Sequence, residues 1–165
     1  GKSVIFIKRD EIEKPLNSID FLERIEVKKK YPSTILIKVY ETKPIAILFK
    51  KNQKYLIDSS SNLILFDEKL FFDNLPNVFG KGADMNFIDF FTKLENNDFS
   101  INRIKNFYYF QIGRWDLELL NNKIIKFPSS DTSKAIQQSV DLLSRDDFEN
   151  YNIIDLRIHG KILVK

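Results

Sequence analysis

The strongest constraint on the fold is an alternation of apolar and polar residues that comes in short runs, each stopped by a turn signal. From Thr34 onward, Ile35, Ile37 and Val39 fall on one face, while Leu36, Lys38 and Tyr40 fall on the other. From Arg114 to Leu120, the side chains of Trp115, Leu117 and Leu119 again share one face. A side-chain period of two belongs to a strand with two unlike faces. Repeated short strands between turns predict hairpins and a sheet-dominated domain. Fifteen Phe and six Tyr against five Gly suit that reading, because large side chains fill a core and favour strands.

Two hairpins open the legible part of the chain. In FLERIEVKKK, Ile25 and Val27 alternate with Glu26, Lys28 and Lys30, and Tyr31-Pro32-Ser33 breaks the run before the strand at Thr34. The lysine triplet invites a nucleic-acid reading that its spacing does not require. Lys28 and Lys30 belong to a solvated strand face, where lysine also discourages edge-to-edge pairing. After Thr42-Lys43-Pro44, IAILFKK and KYLID predict a second hairpin turning at Asn52-Gln53. A module boundary is placed near Lys43-Pro44, with no Gly/Ser linker, so the modules are expected to be semi-rigidly joined.

Three helices are expected. DEIEKPL at residues 10–16 predicts a short helix. Phe87, Phe90, Phe91 and Leu94 mark one face of a helix over 85–94, entered through a turn at Gly80-Lys81-Gly82. Asp131 is expected to cap a further helix whose apolar stripe is Ile136, Val140 and Leu143. Between these, the alternation predicts a strand over 99–110 and a turn at Asn121-Asn122 into KIIKF. Turn chemistry fills 58–62 before LILF, and closing strands over 153–157 and 161–164 flank His159-Gly160.

The sequence offers little for catalysis. It has no cysteine, which removes disulfides and thiolate chemistry, and His159 is the single histidine, placed in an expected turn. No Gly-x-Ser-x-Gly elbow presents a serine, and Gly80-Lys81-Gly82 lacks the Lys-Ser/Thr ending of a phosphate loop. Carboxylates are plentiful, but Glu41, Asp146 and Asp147 read as surface or turn groups. Neither enzyme activity nor a cofactor or metal is expected. A net charge of +3 is small for a nucleic-acid binder, so a basic module is a weak third reading. No apolar run reaches the roughly 20 residues that span a bilayer, and no signal-peptide pattern opens the chain. Gly1-Lys2-Ser3 runs straight into VIFI, as in a fragment of a longer protein.

An ordered set of motifs adds a family resemblance. Phe21-Leu22, Val27-Lys28, Tyr31-Pro32, the strand from Ile35 to Val39, then Glu41, Pro44 and Ala46 resemble the end of a POTRA domain in the FtsQ/DivIB family of bacterial cell-division proteins. YLIDSSSNLI resembles the next family hairpin, with Asn62 where Gly is common, and LPNVFGKGA a family connection. GRWDLELLNNKIIKF resembles its Arg-x-Trp-x-Leu-x-Leu strand pair, and IIDLRIHGKILVK its terminal Ile-Asp-Leu-Arg segment. Together these cover nearly the whole chain in order.

The resemblance implies an α+β fold: a POTRA module over 1–43 lacking its first strand and helix, then a mainly antiparallel β-domain with two helices over 44–165. It implies a scaffold of the division complex, anchored in the inner membrane by a single helix absent here, with this part in the periplasm. The implied partners are FtsB and FtsL at the β-domain and other division proteins at the POTRA module. A POTRA-type receptor for polypeptides in envelope assembly is the alternative. The positions matching the terminal strand are Arg157, Ile158, Gly160, Lys161, Ile162, Leu163 and Val164, expected to accept a partner strand along the backbone. Arg157 is expected to meet a partner carboxylate, and Ile162 and Val164 apolar pockets. Arg114 and Trp115 are second-rank contacts. Ile158 stands where the family often has Tyr, which removes an aromatic contact.

Overall fold

The computed structural model describes residues 22–30, 32, 34–41, 43–66 and 74–165. The helix expected over 10–16 lies outside them. Strand β1 (Leu22–Lys30) pairs antiparallel with β2 (Thr34–Glu41), Val27 opposite Ile37 and Lys30 opposite Thr34, as a two-stranded sheet of their own. Lys28 and Lys30 are exposed on the same face, where the alternation put them. The apolar side chains of β2 are not deeply covered: Ile37 is 41% and Val39 47% exposed.

The remaining strands form one nine-stranded sheet. In chain order they are β3 (Pro44–Lys50), β4 (Gln53–Asp58), β5 (Leu63–Leu65), β6 (Asn77–Phe79), β7 (Ile104–Phe110), β8 (Arg114–Leu119), β9 (Ile124–Lys126), β10 (Ile153–Asp155) and β11 (Leu163–Val164). In space they run β11-β10-β9-β8-β7-β6-β3-β4-β5. Helix α1 (Ala83–Asn96) connects β6 to the parallel β7, and α2 (Thr132–Leu143) connects β9 to the parallel β10. The pair β3–β6 is also parallel and the others are antiparallel, so the sheet is mixed but mainly antiparallel. The expected α+β class holds.

One face of the sheet carries the core. Val78, Phe107, Leu117, Ile125 and Ile154 stand in register across five strands, all at 0% exposure. Burying such a row removes apolar surface from water and is the main stabilising term. Phe87, Phe90, Phe91 and Leu94 of α1 pack onto this face as their spacing predicts. Phe90 stacks on Trp115 at 5.1 Å, and Phe87 meets Phe107 edge-on at 5.1 Å. On the opposite face, Phe49, Phe79 and Tyr108 stack side by side, at 4.7 and 5.4 Å between ring centres.

Several local expectations need correcting. The β3–β4 turn is Lys51-Asn52, one residue earlier than expected, because both residues take positive φ (49° and 62°) and Gln53 already pairs with Lys50. The run 99–110 is not one strand: Phe99 bonds back to the end of α1, a 3₁₀ turn covers Ile101–Arg103, and the strand starts at Ile104. Asp131 does sit at the α2 N-cap, but at φ 52° and without a side-chain capping bond. The buried stripe of α2 is Ala135, Ile136, Ser139 and Leu142, with Val140 and Leu143 only partly covered. The closing strands are shorter than expected, at 153–155 and 163–164.

Candidate functional site

The terminal residues come together at the edge of the nine-stranded sheet. The crossover through α2 sets β10 beside β9, so that Ile154 faces the core while Asp155 falls on the opposite face. Leu156 remains buried, and its N–H donates to the carbonyl of Lys126 at 2.9 Å. The chain then turns at 158–161, with Gly160 at φ 71° and the Lys161 N–H donating to the Ile158 carbonyl at 3.0 Å. It returns as β11, with Leu163 opposite Asp155 and Val164 opposite Ile154.

The backbone geometry of that edge follows from the pairing. Lys165 and Ile153 exchange both N–H···O bonds, at 3.1 and 3.0 Å. Hydrogen-bonded and non-bonded pairs alternate along an antiparallel ladder, so the N–H and C=O of Val164 point away from the sheet. Ile162 is 38%, Leu163 50% and Val164 37% exposed along this edge. Ile158, at 51%, stands at the turn beside them.

Arg157 is held in place before any partner arrives. Its Nε donates to both oxygens of Asp155 at 2.8 and 3.0 Å, and its Nη2 to Oδ2 at 2.5 Å. Its backbone N–H also reaches Oδ1, at 3.1 Å. The Arg157 hydrogen bonds hold the Asp155 carboxyl below its usual range, despite partial burial. One edge of the guanidinium fork is therefore taken within the chain. Nη1 takes no part in this grip.

Arg157 also lines a cavity of about 240 Å³ against the first turns of α2. Lys134, Ala135 and Gln138 form one wall, and Leu156, Ile158 and His159 the other. On the sheet, Asp116, Lys126 and Asp155 stand in one cross-strand row. Burial pushes the Asp116 carboxyl up, against the pull of Arg114, Lys126 and Arg157. Arg114 Nε lies 3.2 Å from Asp116 Oδ1, a charge contact without the alignment of a hydrogen bond. The Arg114 guanidinium lies over the Phe110 ring at 4.0 Å.

Trp115 requires a correction as a contact residue. It is 4% exposed, on the helix-covered face against Phe90, Phe107 and Tyr109, so it is a core residue. Sequence reasoning missed Asp155 as the holder of Arg157, although two-residue spacing at a strand end was a usable signal. It also missed α2 as the cavity wall, for which no local signal exists.

The family model described as "Cell division protein FtsQ/DivIB, C-terminal" matches residues 46–157, from the first strand of the nine-stranded sheet to Arg157. The chain belongs to the FtsQ/DivIB cell-division family. It is 30% identical over 168 residues to the cell division protein FtsQ of Rickettsia typhi, covering 99% of this chain and 62% of that protein. It is 26% identical over 171 residues to the FtsQ of Rhizobium radiobacter, covering 99% of this chain and 79% of that protein. The chain thus spans 62% of the length of the rickettsial relative. Among solved structures, the major extracytoplasmic domain of DivIB from Geobacillus stearothermophilus aligns at a TM-score of 0.41 and 10% identity, over 67% of this chain and 98% of that one. Among the described residues, no helix is long and apolar enough to cross a membrane, and no group of His, Asp and Glu could hold a metal ion.

Proposed function

We propose that this member of the FtsQ/DivIB family is a non-enzymatic scaffold of the division complex that takes a strand from an FtsB- or FtsL-type partner at β11. In this reading, residues 1–43 are the POTRA module, with contacts to other division proteins, and 44–165 are the partner-binding β-domain. The protein acts on the periplasmic side of the inner membrane, anchored by a helix outside this sequence. The observation that carries the reading is the β11 edge, where the outward backbone of Val164 adjoins exposed Ile162 and Leu163 and the Arg157-lined cavity. A partner strand gains ladder hydrogen bonds there, and alternate side chains reach apolar and charged neighbours. Arg157 offers its remaining donors to a partner carboxylate, with Asp155 fixing its orientation at little further entropic cost. Arg114 supports the charge row behind it. Gly160 and Lys161 set the turn that delivers the edge.

The test is calorimetric titration of the chain with an FtsB-type partner segment. Ile162→Lys and Arg157→Glu are each expected to weaken binding at least tenfold with an unchanged circular dichroism spectrum. Affinity unchanged in both variants would overturn the placement of the site.

A further inference from the structure

A second surface lies far along the sheet from the β11 edge, where β3 turns into β4 and β6 runs into α1. A cavity of about 440 Å³ opens there. Leu48 and Phe49 supply its apolar part, with Phe49 fixed by its stack on Phe79 at 4.7 Å. The backbone of Gly80 and Gly82 forms the opposite wall. Gly80 is at φ 121°, and a Cβ there would fall 2.2 Å from the carbonyl oxygen of Tyr109, so position 80 contributes backbone alone to this wall. The surface is built in advance of any ligand.

Its charge is one-sided. Lys50 and Asp84 answer each other at 2.6 Å. Lys51 and Lys81, also on the rim, are exposed and meet no carboxylate among the described residues. The first-turn acid of α1 is thus already neutralised within the chain, and two lysines flank an apolar opening with no carboxylate opposing them among the described residues. Two exposed ammonium groups around one depression suit a polypeptide that brings an apolar side chain between carboxylates. An anionic membrane surface calls for a broader cluster, about four to eight basic residues.

We propose that this corner docks a partner segment carrying one aromatic or branched apolar side chain flanked by acidic residues. The side chain enters between Phe49 and the glycine wall, and the carboxylates pair with Lys51 and Lys81. This site is independent of the β11 edge.

The experiment records amide shifts of the ¹⁵N-labelled chain on titration with the acetylated peptide Asp-Glu-Phe-Glu-Asp. Controls are Asn-Gln-Phe-Gln-Asn, Asp-Glu-Ala-Glu-Asp and vesicles of phosphatidylglycerol and phosphatidylcholine. The acidic Phe peptide is expected to shift amides over 48–51 and 80–84 and leave 157–164 unmoved. Each control peptide should bind at least tenfold more weakly. The K51E/K81E double variant, exposed at both sites, should lose at least tenfold in affinity with an unchanged far-ultraviolet spectrum. The proposal is overturned by absent shifts at the corner, by equal binding of either control peptide, or by an unaffected double variant. Response of these amides to vesicles but not to the acidic peptide would also overturn it, in favour of a membrane contact.

Discussion

Glu118 sits among three donors: Asn106 Nδ2 and the Tyr108 hydroxyl, each at 2.8 Å, and Lys105 Nζ at 3.0 Å. Led by the Asn106 bond, these lower its carboxyl from the ordinary 4.5 to about 2. A carboxyl depressed on folding stabilises the native state above its unfolded value, and that contribution is lost as pH falls toward the folded one. Glu118→Gln should therefore flatten the pH dependence of the urea midpoint between about 4.5 and about 2. A variant that remains as acid-sensitive as the parent would contradict this account. Asp116 works in the opposite sense, because its carboxyl is raised by burial. None of these shifts could be read from the sequence. Asn106 and Glu118 are a pair only because β7 and β8 fix that register.

At the level of elements, the crossover into β10 depends on one buried cation. The Nζ of Lys123, just before β9, donates to the carbonyls of Phe148 at 2.8 Å, Glu149 at 3.2 Å and Tyr151. Desolvation lowers its pKa, yet three acceptors satisfy its three hydrogens. The clasp ties the turn after α2 to the sheet and so helps set where β10, and then β11, must lie. Lys123→Met keeps the stem and removes the donors; the Phe148 carbonyl retains the Tyr151 N–H at 3.4 Å, while those of Glu149 and Tyr151 lose the ammonium. The substitution is expected to cost about 2–3 kcal/mol. Chemical denaturation would measure that loss, and hydrogen exchange should quicken over 151–153. Full stability in the variant would mean that the turn holds itself. In sequence, Lys123 is simply the first residue of KIIKF, after the Asn121-Asn122 turn. Only the return of residues 148–151 over it reveals the clasp.

On the scale of the molecule, the described chain separates into two sheets, with β2 ending at Glu41 and β3 starting at Pro44. Among the described residues, every member of the buried core cluster lies between Ala46 and Leu156. Residues 44–165 are accordingly expected to fold alone, with a single cooperative thermal transition within a few degrees of the parent's. Broad or absent melting of that piece would show that the N-terminal part completes its core.

What the sequence determined by itself was local. Period-two alternation set the strands and which side chains share a face, the spacing of Phe87, Phe90, Phe91 and Leu94 set α1, and an ordered motif set pointed to the family. The tertiary structure decided which face each helix covers. The alternation placed Trp115 on a face with Leu117 and Leu119 but could not say that α1 covers it, so a candidate contact proved to be core. It likewise could not bring α2 against Arg157 or set β10 parallel to β9. Periodicity is a property of neighbouring residues. Which face is buried depends on crossovers between strands distant in the chain, and those are settled by burial and pairing over the whole sheet.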